Sequence, residues 1–265
     1  MARKLSSHSS RESRKENPDE GLPGYTIKNP LQGKIALVTG ATQGIGLAIA
    51  RALADEKCNL VLSGRNQTRL RAVEAELSLK KIRVLAVLCD VRDEQGVGEM
   101  LAAVRKKFRR LDILVNNAGI AHANHAVGQL SAKEWNDVVA TNLTGMFLVT
   151  KASLPLMKRE SLIINNLSIA ARRTFPGLAA YNASKHGALG FTNTLREELR
   201  EQGIRVIALL PGATDTAIWD VLWPEAPRKK MISPATVAQA LISALKIPEE
   251  STIEEMSLMP TTGAL

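Results

Sequence analysis

The sequence predicts a single α/β domain built on a doubly wound parallel sheet of seven strands. Two observations lead to this fold class. Short apolar runs of strand length alternate along the chain with amphipathic stretches of helical period. The runs lack the polar alternation of a strand with one face in water, so helices must cover both faces of the sheet. Right-handed crossovers between such strands place ligands at the carboxyl ends of the sheet.

The alternation assigns each element in turn. The predicted strands cover residues 35–38, 60–62, 84–88, 113–115, 162–167, 206–210 and 253–259. The predicted helices cover residues 45–56, 68–79, 94–108, 132–157, 178–202 and 234–245. No internal repeat and no Pro/Gly-rich linker interrupts this part of the chain, so residues 31–265 are predicted to form one domain.

Residues 1–30 have a different composition. They are rich in Ser, Arg, Lys and Glu and contain few apolar side chains. A segment with so little to bury is predicted to be a disordered, basic N-terminal extension.

The charge of the chain does not indicate a nucleic-acid-binding protein. Its 35 Lys and Arg exceed its 26 Asp and Glu, which gives a formal net charge of +9. Beyond the N-terminal extension, however, basic residues cluster only at 105–110 and 228–230. Aromatic residues make up just 3% of the chain, so bases would find few stacking partners. No specific nucleic-acid partner is expected.

The cysteines and the apolar runs bear on location. Cys58 and Cys89 have no metal-type spacing and lie in apolar surroundings, which favours a reducing, cytoplasmic environment. No uninterrupted apolar run reaches the roughly 18 residues of a spanning helix, so no membrane span is expected.

A glycine-rich turn follows the first predicted strand and opens the first helix. It reads TGATQGIG over residues 39–46. Glycines permit positive φ and close backbone approach, and the free amides at a helix start suit a pyrophosphate. The turn therefore predicts a dinucleotide site that includes Gly40, Thr42, Gln43, Gly44, Ile45 and Gly46.

The residues after the second strand predict the choice of cofactor. An enzyme that prefers NAD(H) places Asp or Glu about 20 residues beyond the glycine turn, to bind the ribose 2′-hydroxyl. Arg65 and Asn66 stand there instead, and a guanidinium suits a 2′-phosphate. NADP(H) is therefore predicted in preference to NAD(H). After the third strand, Asp90 either accepts from the adenine amino group or caps the following helix.

A tyrosine, a lysine and a serine form the predicted catalytic group. Tyr181 and Lys185 are four residues apart on a predicted helix, so both project from one face. The pKa of tyrosine is about 10, and an ammonium one turn away is expected to lower it by roughly 1–3 units. Ser168, at the end of a strand, could donate to a carbonyl that Tyr181 protonates. Asn142 is an unfavourable residue within a helix, which predicts a local kink with a bound water.

With these motifs in order, the chain resembles the short-chain dehydrogenase/reductase family over residues 31–260. TGATQGIG is similar to the family's cofactor loop, and Asp90-Val91 to its adenine contact. Residues 116–119 read NNAG, its signature beside the cofactor. The resemblance adds Asn117, Ala118 and Gly119, then Pro211, Gly212, Thr214 and Thr216 of a PGxxxT segment, to the cofactor-binding residues.

The resemblance also implies a fold, a reaction and an assembly. The fold would be a Rossmann sheet of order 3-2-1-4-5-6-7. Tyr181 would be the general acid in reduction, and Lys185 would lower its pKa and bond the nicotinamide ribose. Ser168 would polarise the carbonyl, and Asn142 would hold the water that links Lys185 to solvent. The family assembles through its two long helices, which implies a homodimer or homotetramer.

Among the departures from the family pattern, two bear on the cofactor and the substrate. Gln43 stands where many NADP-preferring members carry a cation, so Arg65 bears the 2′-phosphate prediction nearly alone. The segment 217–232 is short and indicates a small or open lid over the substrate. This argues against a large enclosed pocket for a steroid.

Other residues leave two interpretations open. His122 and His125 either border the substrate or are structural, and with no third ligand in the pattern no metal site is expected. Trp219 and Trp223 either pack on an apolar substrate or only under the lid. The arginines 172–173 either face an acidic substrate group or lie in a solvated loop.

The predicted function is NADP(H)-dependent hydride transfer between nicotinamide and a carbonyl or secondary alcohol. The substrate would be a 3-oxoacyl thioester or another small keto or hydroxy compound. The alternative is a Rossmann protein that binds NADPH as a sensor or scaffold and turns nothing over.

Overall fold

The computed structural model describes residues 29–263, so the prediction of disorder for residues 1–30 falls almost wholly outside the described part of the chain. All seven predicted strands are present and pair in parallel. They are β1 (Ile35–Thr39), β2 (Asn59–Gly64), β3 (Val84–Leu88), β4 (Ile113–Asn116), β5 (Leu162–Asn166), β6 (Arg205–Pro211) and β7 (Glu255–Leu258).

The sheet has the order β3-β2-β1-β4-β5-β6-β7, which confirms the predicted doubly wound fold. The chain builds outward from β1 in one direction as far as β3, then crosses back to place β4 on the other side of β1. A crevice opens at such a reversal, outside the carboxyl ends of the strands. The glycine turn after β1 and the NNAG segment after β4 meet there.

Eight α-helices of the described chain cover the sheet. They are α1 (Gly44–Asp55), α2 (Gln67–Ser78), α3 (Glu94–Phe108), α4 (Ala132–Val139), α5 (Gly145–Ser153), α6 (Ala179–Arg200), α7 (Trp219–Leu222) and α8 (Pro234–Leu245). No helix of residues 29–263 has the length and apolar character needed to cross a membrane.

Alternate residues of each strand pack into the two helical layers. Ala36 and Val38 of β1 belong to the cluster that includes Ile49 and Leu53 of α1, together with α2 and α8. Leu37 points to the opposite face and packs with α3, α5 and α6. All five residues of β1 are buried, which explains why the strand is an uninterrupted apolar run.

The single helix predicted over residues 132–157 is wrong. The structure has α4 and α5 there, separated by a π turn over Ala140–Thr144, and α5 ends in a 3₁₀ turn at Leu154–Leu156. Asn142 lies within the π turn and uses its side chain to bind the neighbouring loop, which agrees with the predicted local kink. Pro155 lacks an N–H and so cannot continue the α-helical ladder at the other end. Every other predicted element has both ends within two residues of those observed.

Candidate active site

The glycine turn holds the start of α1 open toward the crevice. Gly40 and Gly44 have φ values of +63° and +55°, which side chains with a Cβ rarely adopt. Gln43 precedes α1 without a capping hydrogen bond from its side chain. The first amides of the helix therefore form a site suited to an anionic group.

Gly46 has a structural role behind this turn. A Cβ at Gly46 would lie 2.3 Å from the Gly40 carbonyl oxygen and 2.3 Å from Asn117 Nδ2. That Nδ2 donates to the backbone carbonyls of Thr39 and Gly40, at 2.9 and 3.2 Å. The glycine at 46 thus allows the NNAG segment to pack directly against the turn.

The crevice forms one continuous cavity of about 590 Å³. Most of the residues predicted to bind cofactor line it. They are Gly40, Thr42, Gln43, Gly44, Ile45, Arg65, Asn66, Asp90, Val91, Asn117, Ala118, Gly119, Tyr181, Lys185, Pro211, Gly212, Thr214 and Thr216. Ser168, which is predicted to be catalytic, lines the same cavity. Gly46 and Asn142 lie outside the lining, Gly46 for the packing reason above and Asn142 because it is turned toward the chain around it.

Two guanidiniums stand at the β2 end of the cavity. Arg65 is half exposed, with its Nη1 3.8 Å from Asp90 Oδ2. Arg69, on the first turn of α2, also lines the cavity and donates to Gln43 Oε1. Asn66 orients that turn, because its Oδ1 accepts from the Arg69 backbone N–H at 2.9 Å. Arg69 was not among the predicted cofactor residues, although an arginine four residues after Arg65 on a capped helix was a usable signal.

Asp90 is an ionised carboxylate engaged by a second arginine. Arg92 donates to both of its oxygens, with the shortest contact 2.7 Å, and also reaches Asp137 at 3.0 Å. The hydrogen bond from Arg92, with a smaller contribution from Arg65, holds the pKa of Asp90 below its usual value. This partner of Asp90 was not anticipated from the sequence.

Ser168 and Tyr181 meet across the turn between β5 and α6. Ser168 caps a short 3₁₀ turn, and its Oγ accepts from the Ala170 N–H at 3.1 Å. Tyr181 lies in the first turn of α6 and is buried. Burial raises the pKa of Tyr181, and a hydrogen bond with Ser168 opposes this. The expected lowering of the Tyr181 pKa by Lys185 is therefore wrong, because desolvation of the phenolate is the larger effect.

Lys185 follows Tyr181 by one helical turn, as predicted. Its Nζ lies 5.6 Å from the centre of the Tyr181 ring and donates to the Asn166 carbonyl oxygen at 3.2 Å. The side chain is buried, and loss of water around the ammonium lowers the pKa of Lys185 from 10.5 to about 8. A lysine tuned to this range is protonated near neutral pH but exchanges its proton readily.

Asn142 fixes the loop that borders this group. Its Oδ1 accepts from the Ile120 N–H at 2.8 Å, and its Nδ2 donates to the Ile120 carbonyl at 2.9 Å and to Ser184 Oγ at 3.1 Å. A Cβ built on Gly119 would lie 3.3 Å from Asn142 Oδ1 and 3.8 Å from Lys185 Nζ. The π turn thus brings Asn142 to the back of the lysine site.

The residues with two interpretations are now placed. His122 is buried and its Nδ1 contacts the Ala123 carbonyl at 2.8 Å, while His125 lies 3.7 Å from Glu134. Both histidines lie outside the cavity lining, whereas Trp219 and Trp223 lie within it. The tryptophans therefore face the cavity.

The comparisons with known proteins agree on one family. Residues 34–226 match the short chain dehydrogenase family. The rat protein "Dehydrogenase/reductase SDR family member 4" is 36% identical over 79% of this chain and 76% of its own length. An alcohol dehydrogenase from the archaeon Thermococcus sibiricus, solved with 5-hydroxy-NADP, superposes with a TM-score of 0.83 at 31% identity, covering 88% of this chain and 99% of that one. An actinorhodin polyketide ketoreductase solved with NADPH superposes with a TM-score of 0.77 at 33% identity, covering 88% and 98%.

The predicted motifs, the strand order and the match over most of the chain lead to one conclusion. This protein belongs to the short-chain dehydrogenase/reductase family.

Proposed function

We propose that this protein is an NADP(H)-dependent oxidoreductase that interconverts a carbonyl compound and its secondary alcohol. The observation that carries the proposal is that Ser168, Tyr181 and Lys185 line the same cavity as the glycine turn. The names of its relatives, which are dehydrogenases and reductases, support the same reaction class. A 3-oxoacyl thioester or another small keto or hydroxy compound is the proposed substrate.

The residues of the cavity fit a phosphorylated dinucleotide. The open start of α1 would hold the pyrophosphate, and the NNAG and PGxxxT segments would hold the nicotinamide end. Arg65 and Arg69 would bind the 2′-phosphate, since guanidiniums pair well with phosphate oxygens. Two solved relatives that hold NADPH or an NADP derivative support this choice.

The chain supplies proton transfer and orientation. When bound, the nicotinamide gives or takes the hydride. Ser168 Oγ donates a hydrogen bond to the substrate oxygen, and Tyr181 gives its phenolic proton to that oxygen during reduction. Lys185, charged at neutral pH, is proposed to bind the nicotinamide ribose, and its ammonium can offset only part of the desolvation that raises the pKa of Tyr181. Asn142 positions the loop beside Lys185 and is proposed to hold the water through which the proton returns.

Loss of NADPH absorbance over a panel of carbonyl compounds tests the activity. The parent is expected to turn over at least one ketone of the panel, and Tyr181→Phe is expected to bind NADPH and turn over none. Binding of NADPH by the parent without turnover of any ketone would instead indicate a sensor or scaffold.

Titration of matched variants with NADPH and NADH tests the cofactor choice. Arg65→Ala and Arg69→Ala should each weaken NADPH binding by about 10- to 100-fold, the worth of a charge-assisted hydrogen bond, and change NADH binding little. Arg71→Ala is the control, because Arg71 lies on the same helix but pairs with Glu74 at 2.8 Å outside the cavity. Equal weakening of both cofactors in the Arg65 and Arg69 variants would contradict the assignment.

The protein is further proposed to be a homodimer or homotetramer that associates through α5 and α6. Phe147 on α5 is 43% exposed and makes an edge contact with Phe191 on α6. Gly190 on α6 has nothing within 4 Å of an added Cβ, whereas Gly187 packs on Leu143 of its own chain. Light scattering should give a multiple of 28.7 kDa for the parent and a lower mass for Gly190→Arg. An unchanged mass in the variant would place the interface elsewhere.

A cytoplasmic location is proposed on the state of the cysteines. Cys58 and Cys89 are both buried and unpaired with each other. Burial raises the pKa of Cys58 to about 12 and of Cys89 to about 11, so both are inert thiols suited to a reducing compartment. Cell fractionation with a tagged full-length chain tests this location, and recovery outside the cytoplasm would contradict it.

A further inference from the structure

The end of the cavity beside Ser168 and Tyr181 has a wall of large apolar side chains. Phe175 and Leu178 come from the loop between Ser168 and Tyr181 in the chain. Ile218, Trp219, Leu222 and Trp223 come from the segment around α7, which follows β6. Since β5 and β6 are neighbouring strands, the two segments follow adjacent strand ends, and both line the cavity together with Ser168.

The segment around α7 is held in this position by specific contacts. Trp219 Nε1 donates to the Thr214 carbonyl at 2.9 Å, which ties α7 to the loop after β6. Arg228 donates to the Thr216 carbonyl at 2.6 Å and to Asp215 Oδ1 at 2.9 Å. The apolar wall is thus a fixed part of the site rather than a loose flap.

Apart from Lys185, the charged groups that line the cavity lie away from this apolar wall. Among residues 29–263 the charged groups of the lining are Arg65, Arg69, Asp90 and Lys185. The first three follow β2 and β3, on the far side of the strand-order reversal from β5 and β6. Lys185 lies 5.6 Å from the centre of the Tyr181 ring and donates to the Asn166 carbonyl. Asn124 and the hydroxyls at the substrate end are polar but uncharged.

The nearby arginines turn away from the cavity. Arg172 pairs with Glu255 of β7 at 2.7 Å, and Arg173 is exposed outside the lining. Arg228 pairs with Asp215 and Asp220 on the outer side of the lid. A carboxylate, sulfonate or phosphate placed against the apolar wall would therefore lose water with no arginine there to pair with it. The Lys185 ammonium beside Tyr181 is already bonded to the Asn166 carbonyl, so burial of such an anion is unfavourable.

We infer that the substrate is a neutral carbonyl compound, or its alcohol, with an apolar ring or branched chain next to the reacting carbon. This inference rests on the proposed function and narrows its substrate class. The apolar group packs between Phe175 and Leu178 on one side and the two lid tryptophans on the other, with the carbonyl oxygen at Ser168 and Tyr181.

A matched pair of ketones tests the inference with the intact protein. Methyl 4-acetylbenzoate and 4-acetylbenzoate carry the same acetyl group and differ in charge. At pH 7 with NADPH, kcat/KM for the ester should exceed that for the anion by about 100-fold or more, since the anion enters without a partner. Equal values, or a preference for the anion, would overturn the inference while leaving the reductase activity intact.

Calorimetric titration of the same two ketones separates failure of the inference from failure of the proposed function. Preferential binding of the ester with no turnover of any ketone would retain the neutral, apolar site and contradict the reductase function. Binding of neither ketone, together with no turnover of either, would overturn the inference itself.

Variants test whether the apolar wall makes this selection. Trp223→Ala should lower kcat/KM for the ester about tenfold. Trp135→Ala is its control, because Trp135 on α4 is 41% exposed against 44% for Trp223 but lies outside the cavity. Phe175→Arg should shift the ratio of kcat/KM for the ester to kcat/KM for the anion at least tenfold toward the anion. Phe175→Leu should keep the parental ratio. NADPH binding confirms in each case that the variant is folded. Identical effects of Trp223→Ala and Trp135→Ala, or an unmoved ratio in Phe175→Arg, would contradict the role of the wall.

Discussion

Replacing Lys185 by Met is expected to stabilise the protein while abolishing its proposed activity. Lys185 is only 5% exposed, and among residues 29–263 its ammonium makes one hydrogen bond, to the Asn166 carbonyl. Burial lowers its pKa from 10.5 to about 8, so the folded protein holds this proton less tightly than the unfolded chain does. Below pH 8 the charged group is retained at the expense of folding stability.

The size of the effect follows from linkage between protonation and folding. Each pKa unit corresponds to about 1.4 kcal/mol, so the buried charge lowers the free energy of unfolding by about 3 kcal/mol at pH 7. Between pH 8 and 10.5 the unfolded chain binds more protons than the folded one, so stability rises with pH. At pH 9.5 the remaining penalty is about 1.4 kcal/mol. Methionine is unbranched and only one heavy atom shorter than lysine but carries no charge, so Lys185→Met lacks this pH dependence.

Urea unfolding of the parent and Lys185→Met at pH 7 and pH 9.5 measures the effect. The difference in free energy of unfolding between the two proteins should change by about 2 kcal/mol between the two pH values, in favour of the parent as pH rises. Loss of the Asn166 hydrogen bond and of packing adds the same offset at both pH values and so cancels. A difference that is the same at both pH values would refute the proposed desolvation of Lys185.

Three further substitutions test the packing around the site. Gly46→Ala should destabilise the fold by about 1–3 kcal/mol and weaken NADPH binding, because its Cβ would lie 2.3 Å from the Gly40 oxygen. The control is Gly98→Ala on α3, where an added Cβ meets nothing within 4 Å, and this change should stabilise the helix by about 1 kcal/mol. Equal effects of the two substitutions on the free energy of unfolding would contradict the close-packing role of Gly46. Asn142→Ala should lower the free energy of unfolding in urea by about 1–3 kcal/mol, since the partly buried Ile120 N–H loses its acceptor, and an unchanged midpoint would argue against this contact. Leu53→Ala should lower the free energy of unfolding by about 2–5 kcal/mol, because it leaves a cavity under α1. The NADPH affinity of the folded fraction should be unaltered, and a weaker affinity would mean that the core packing of α1 also shapes the glycine turn.

The elements of the fold were predictable because their signals are local. A strand buried on both faces, such as β1, must be apolar at every position, and an amphipathic helix such as α3 must repeat with its own period. The break in the helix predicted over residues 132–157 was not predictable in form. A π turn depends on what Asn142 can bind across 22 residues of chain, and helical periodicity continues on both sides of it.

The site was predictable in part for a similar reason. The residues of the glycine turn and the Tyr181–Lys185 pair carry fixed spacings, so they could be identified without coordinates. Arg69 reaches the cavity only because Asn66 caps α2 in a particular orientation, and the rise in the pKa of Tyr181 comes from burial by several segments at once. Spacing carries no information about either.

By itself, the sequence determined the parallel sheet, the glycine turn and the Tyr181–Lys185 pair proposed as catalytic, because hydrophobic period and residue spacing encode them over short stretches of chain. Only the tertiary structure decided which charges reach the substrate. Arg172 lies close to Ser168 in the sequence, yet Glu255, 83 residues further along, draws it away from the cavity. The charge that reaches the cavity is thus set by pairing between distant segments, which exists only once the chain has folded.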